Sequence, residues 1–306
     1  MKRAGRIDAL PVFVYTEHIL CKGKFMSRYA ILNQIKQLDP KKDNQQIVFM
    51  VGAYEYPWLT QRALEFALFR TYAVPSISAL LDQTAQFKNY GQRRYDDTSL
   101  IIAEIVENGY DSERGRAAIK QMNRLHGRFA ISNDDFLYVL STFIYEPIRW
   151  NERYGWRDVH DIERHASFYF WSEVGKRMAI KHIPPTYAEF EAFNIAYEQA
   201  NFRYTETNQR VGEATVRIFL GWYPKPLHPV IRQVIYSLLD DPLREAFGYE
   251  KPASVFRMGS HYGLHLLRLL KRYTPPRKTP YRLTTQTTDT YPFGYRIEQI
   301  GPIDGH

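Results

Sequence analysis

Residues 97–150 read DTSLIIAEIVENGYDSERGRAAIKQMNRLHGRFAISNDDFLYVLSTFIYEPIRW, and the spacing of their apolar residues decides the fold. Those residues recur three and four apart, the period that gathers side chains on one stripe of a helix. A first helix is predicted to follow Asp97 or Thr98 and to bury Ile101, Ile102, Ile105 and Val106. It should end near Asn108-Gly109, where glycine suits a left-handed cap. A second starts around Asp111-Ser112 and carries Ile119, Met122, His126 and Phe129 on one stripe, so His126 is expected to face inward. A third begins at Ser132, with Asp135 three residues on in the manner of a capping box. It runs through Phe136, Leu140, Phe143 and Ile144 until Pro147.

The same texture extends outward from Ile47 to Tyr273, with further helices expected over 161–180, 187–202, 212–222, 230–247 and 254–272. Strand-like alternation is scarce, which makes the fold class all-α. The polar run from Lys41 to Gln46 after Asp39-Pro40 marks a boundary, so the chain divides into an N-terminal extension (1–46), a helical domain (47–273) and a tail (274–306). The tail carries Pro275-Pro276 and seven threonines between Thr274 and Thr290, and is expected to be extended along the surface rather than to fold alone.

Composition narrows the function. With 306 residues, 44% of them apolar and 15% aromatic, the chain has material for a packed core, and wholesale disorder is excluded. Its net charge is +8, and eight basic residues fall between Lys251 and Thr288 without one acid among them, so the rest of the chain is neutral. A lone cysteine, Cys21, allows no internal disulfide and no Cys-x-x-Cys site, which makes a reducing compartment the default. The longest strongly apolar uncharged run, from Phe136 to Tyr145, has ten residues, short of the roughly 18 that a membrane span requires. The basic N-terminus (Lys2, Arg3, Arg6) is followed by a short stretch broken by Pro11, which does not read as a signal peptide. The expected setting is cytoplasmic or peripheral to a membrane.

Three polar constellations invite chemistry. His261 and His265 share a helix face, yet lack a third ligand and read as surface or core histidines. The cluster Gln92-Arg93-Arg94-Tyr95-Asp96-Asp97-Thr98 reads, by itself, as a solvated loop ending in a cap. His126 interrupts an apolar stripe between Met122 and Phe129, with Arg124 and Arg128 close by, and is either a hydrogen-bonded core histidine or a metal ligand. No Gly-x-Ser-x-Gly, Walker loop or Gly-x-Gly-x-x-Gly is present, which weakens hydrolase and nucleotide-dependent readings.

Taken in order, these segments resemble a known family. Arg94-Tyr-Asp-Asp-Thr98, Met122-Asn-Arg-Leu-His126-Gly127, Asn133-Asp-Asp-Phe-Leu-Tyr138, Glu146-Pro147-x-Arg149-Trp150 and Tyr154-Gly-Trp-Arg157 are similar to the haem-dependent oxygenases that unite latex-clearing rubber oxygenases with the ER-bound oxygenase mpaB, and are closer to the mpaB branch. The resemblance runs from about Tyr54 to Arg277. It implies a globin-like helical core around one b-type haem, with His126 as the proximal iron ligand and Arg94 and Thr98 on the distal side. Rubber oxygenases carry a lysine just before the motif threonine, where this chain has Asp97. A carboxylate cannot imitate an amine ligand, so the resting iron is expected to be five-coordinate or water-bound, with Asp97 or Asp96 available for acid/base work.

The activity this resemblance implies is oxidative cleavage of a carbon–carbon double bond by O2, in a lipophilic substrate such as a prenyl or terpenoid compound. The absence of Cys-x-x-Cys-His makes haem b noncovalent. A haem-binding sensor or carrier without oxygenase activity is the alternative. A nucleic-acid-binding reading of residues 251–282 lacks any supporting motif, so no nucleic-acid partner is expected. The basic segment leaves peripheral membrane contact open.

Overall fold

The computed structural model describes residues 27–302, so Cys21 and the basic N-terminal stretch lie outside the described residues. Among these there are thirteen α-helices and no strand. In chain order α1 is Ala30–Ile35, α2 Asn44–Met50, α3 Pro57–Thr71, α4 Pro75–Gln83 and α5 Gln86–Asn108. Then come α6 (Glu113–His126), α7 (Asn133–Tyr154), α8 (Asp161–Arg177) and α9 (Tyr187–Asn201). The last four are α10 (Glu206–Gly221), α11 (His228–Leu238), α12 (Asp241–Ala246) and α13 (Ser254–Arg272).

Local chemistry explains most of the boundaries. The Ser112 side chain accepts the Gly115 amide and Ser132 accepts that of Asp135, each satisfying a first-turn N–H that no helical carbonyl can reach. Gly109 ends α5 where expected and at a positive φ of 83°, but its ψ of 145° is extended rather than left-handed helical. Other expectations needed correcting. α5 starts eleven residues before Asp97, with a break at Tyr90 (φ −135°), so the cluster from Gln92 to Thr98 is helical and partly buried rather than a solvated loop. α7 continues through Pro147 to Tyr154. One proline forfeits one backbone bond, and here α7 is held along its length by α3, α8 and α9. The helix expected over 230–247 is two, because Asp240 caps a new start at Asp241, its side chain accepting the Leu243 amide, and Pro242 occupies the first turn. α10 begins at Glu206 under a Thr205 cap, earlier than Gly212.

The two largest of four apolar clusters among the described residues build most of the core. One joins α5, α6, α7 and α8 through residues such as Leu100, Ile105, Ile119, Ile144 and Phe170. The other joins α3 to α10, α11 and α12 around Phe69, Phe219 and Phe247. Full burial of each such side chain contributes about 1.5–3 kcal/mol. The tail is anchored rather than loose: Tyr291, Ile297 and Ile300 are buried in the first cluster. A π-helical turn, Val51–Glu55, joins α2 to α3 and brings Glu55 onto the buried Arg157, whose guanidinium also grips Glu163 at 2.6 and 2.8 Å.

Candidate functional site

Between the two apolar clusters lies a cavity of about 170 Å³, walled mainly by aliphatic and aromatic side chains. α5 supplies one wall at helical spacing, with Arg94, Thr98, Ile102 and Val106. Phe143 and Pro147 of α7 form the opposite side, and Val51 to Ala53 of the π-helical turn also reach it. Proline 147 removes the backbone bond that would end on the Phe143 carbonyl, so the helix defect coincides with the cavity wall.

The Arg94 and Thr98 expected to act together do meet. Arg94 Nη1 donates to Thr98 Oγ1 at 2.7 Å, and Thr98 Oγ1 donates to the Arg94 carbonyl at 2.9 Å. The guanidinium lies 5.8 Å from the Phe87 ring centroid, in cation–π range. Its charge also reaches His126, whose imidazolium is pushed down to about 4 by burial first and by Arg94 second. His126 is therefore neutral at physiological pH, the form in which imidazole binds a metal. It ends α6 with its ring edge-on to Phe136 at 5.5 Å. Among the described residues its Nδ1 is buried without a hydrogen-bond partner, a state that costs roughly 1–3 kcal/mol unless something else binds the ring. Phe129, expected on the same inward stripe, lies beyond the end of α6 and is 43% exposed.

Asp97 takes a different direction. Its Oδ1 accepts the Tyr291 hydroxyl at 2.6 Å, Arg93 Nε lies 3.9 Å from Oδ2, and burial raises its pKa. The neighbouring Asp96 accepts the Thr290 amide and hydroxyl at 3.0 and 2.5 Å. Neither carboxylate lines the cavity. With Glu104 accepting Tyr295 and Glu107 accepting Leu283 and Thr284, they staple the tail along α5.

The group that sequence reasoning passed over is Glu65. It lines the cavity and is held by the Tyr95 hydroxyl at 2.5 Å and by Arg62 at 2.5 Å, with Gln61 donating to Tyr95 at 3.2 Å. Burial overrides both partners and pushes the carboxyl up to about 7. The signal was present as a single acid inside the apolar run from Ala63 to Phe69. His261 and His265 have protein partners: His261 Nδ1 is 2.9 Å from the Tyr154 hydroxyl, and His265 packs edge-on to the same ring.

An all-helical chain with an apolar chamber and an Arg–Thr pair on its wall defines a class, a protein that encloses an apolar small molecule among its helices; His126 lies within electrostatic reach of that arginine and is not among the residues lining the chamber. A family model described as "ER-bound oxygenase mpaB/B'/Rubber oxygenase, catalytic domain" matches residues 59–270, and the chain belongs to that family. It is 31% identical over 242 residues to the ER-bound oxygenase mpaB' of Penicillium brevicompactum, covering 73% of this chain and 57% of that protein. To the ER-bound oxygenase mpaB of Penicillium roqueforti (strain FM164) it is 32% identical over 222 residues, covering 67% of this chain and 74% of that one. The match thus spans little more than half of the first relative's length. Among the described residues no single helix is long and apolar enough to cross a membrane.

Proposed function

We propose that the chain is a haem b-dependent oxygenase that uses O2 to split a carbon–carbon double bond in a lipophilic substrate of prenyl or terpenoid type. The reading is supported by family membership and carried by one observation: a neutral histidine with an unpartnered Nδ1 lies within electrostatic reach of Arg94, whose pair with Thr98 walls an apolar cavity that His126 itself does not line. The residues suit the group. His126 would hold the iron, and the helices around it would form the globin-like core, with Arg94 near enough to balance anionic charge. When bound, haem supplies dioxygen binding and activation, chemistry that no protein side chain offers.

The chain's own residues do the rest. Burial keeps His126 deprotonated, so no proton competes for its lone pair. Arg94 fixes the Thr98 hydroxyl, leaving both groups aimed from the α5 wall toward the chamber. The apolar lining orders a hydrocarbon substrate and excludes water. Glu65, poised near neutrality, can take or give a proton at its carboxylate, with Tyr95 as the relay. Asp97, in this reading, positions α5 and the tail rather than touching substrate. The overall conversion balances: one alkene and one O2 give two carbonyl groups.

Oxygen uptake with a prenyl alkene, followed by detection of aldehyde or ketone products, tests the proposal. Haem binding without uptake or carbonyl product would favour a sensor or carrier.

A further inference from the structure

Helix α13 turns its apolar side outward. Val255, Met258, Tyr262, Leu266, Leu269, Leu270 and Tyr273 are each more than half exposed, Tyr262 by 68% and Tyr273 by 84%. At 100° per residue they fall within an arc of about 120° on a helix about 28 Å long. Its inward side is mixed: Ser260 meets the Ser237 hydroxyl at 2.7 Å, His261 meets Tyr154, and Arg268 meets Asp158 and the carbonyls of Glu152 and Arg153. No residue of the helix is fully buried.

We infer that this face is a docking surface for an anionic phospholipid membrane. The charge pattern selects that occupant. The exposed apolar arc leads directly into Lys271, Arg272, Arg277 and Lys278, and the stretch from Lys251 to Thr288 contains no acid. An apolar strip bordered by cations matches the boundary between acyl chains and anionic headgroups, where each nearby Lys or Arg adds about fivefold to binding. A second copy of the chain is a poor match, because pairing α13 with itself would bring one acid-free basic segment against another. Trp58 and Tyr223, both exposed, continue the apolar surface. They also line a second recess, of about 400 Å³, with Gly259 and Gly263 of α13. Glu65 and Phe219 are common to this recess and to the main cavity. Docking by α13 therefore sets an apolar recess beside the reaction chamber at the lipid boundary.

The test is sedimentation of the full chain with phosphatidylcholine vesicles with and without phosphatidylserine, beside a thermal melt and light scattering. Wild type should bind the anionic vesicles and be released by salt. Leu266→Glu with Leu269→Glu should abolish binding without lowering the melting temperature, since both side chains are exposed. Lys271→Gln with Arg272→Gln should weaken binding about 25-fold. Absence of wild-type binding, wild-type-like binding by the leucine double variant, or a dimer that this variant splits would each overturn the inference. Vesicle binding needs neither haem nor turnover, so its failure would leave the oxygenase reading intact.

Discussion

Helices α5 and α13 both depart from the usual sorting of polar and apolar groups, in opposite senses. α5 buries Asp96, Asp97 and Glu104, each with a named partner, and turns Arg94 and Thr98 toward an apolar chamber. α13 exposes six large apolar side chains, and Tyr273 at its C-terminal end a seventh, with no residue of the helix fully buried. Buried polar groups cost stability unless satisfied, and exposed apolar strips invite association. The difference shows which kind of departure belongs to chemistry and which to docking: the first is paired and rigid, the second open and unpaired.

The comparison can be broken most strongly at Thr98. Thr98→Ala should keep its haem while turnover falls about a hundred- to a thousandfold, the scale of losing one placed donor; unchanged turnover would remove Thr98 from the site. Next comes the tail staple. Asp97→Ala removes the acceptor of Tyr291 and should cost about 1.5–3 kcal/mol in denaturant unfolding. A cost near zero would mean that the Asp97–Tyr291 bond does not help to hold the tail.

Glu65 gives a smaller effect with a definite sign. Its folded pKa is raised to about 7, above the ordinary carboxylate value, so it is protonated at pH 6 and ionised at pH 8. If the carboxylate accepts a proton, turnover should rise through pH 7 in wild type and stay flat in Glu65→Gln. The same shift makes its contribution to stability fully present below the unfolded pKa and lost as pH rises through 7. The smallest effect belongs to α13: Tyr262→Ser should change unfolding free energy by less than about 0.5 kcal/mol, as for an exposed site.

Much of this was legible in the sequence where the cause is local. Ser112 and Ser132 cap α6 and α7 through their own side chains, and the bounds of α13 coincide with those expected. Arg94 and Thr98 are grouped by the family resemblance alone; the spacing of four that joins them becomes visible only with α5 extended back to Gln86. What escaped notice depends on residues far away. The cluster from Gln92 to Thr98 looks solvated until a tail nearly two hundred residues later supplies Thr290 and Tyr291 as partners. Asp97, assigned to acid/base work because it replaces the family's lysine, is held by that same tail through Tyr291. α7 outlasted Pro147 because its neighbours, not its backbone alone, hold it. Glu65 is informative only once burial and Tyr95 are known.

The central claim is that His126 holds a haem iron. The most direct measurement is a pyridine haemochrome assay with the Soret spectrum, on wild type and His126→Ala produced with ample haem. Stoichiometric haem b in wild type, and its loss or a shifted Soret band in the variant, is the predicted result. A wild type that binds no haem, or a variant with wild-type haem content and spectrum, would contradict it.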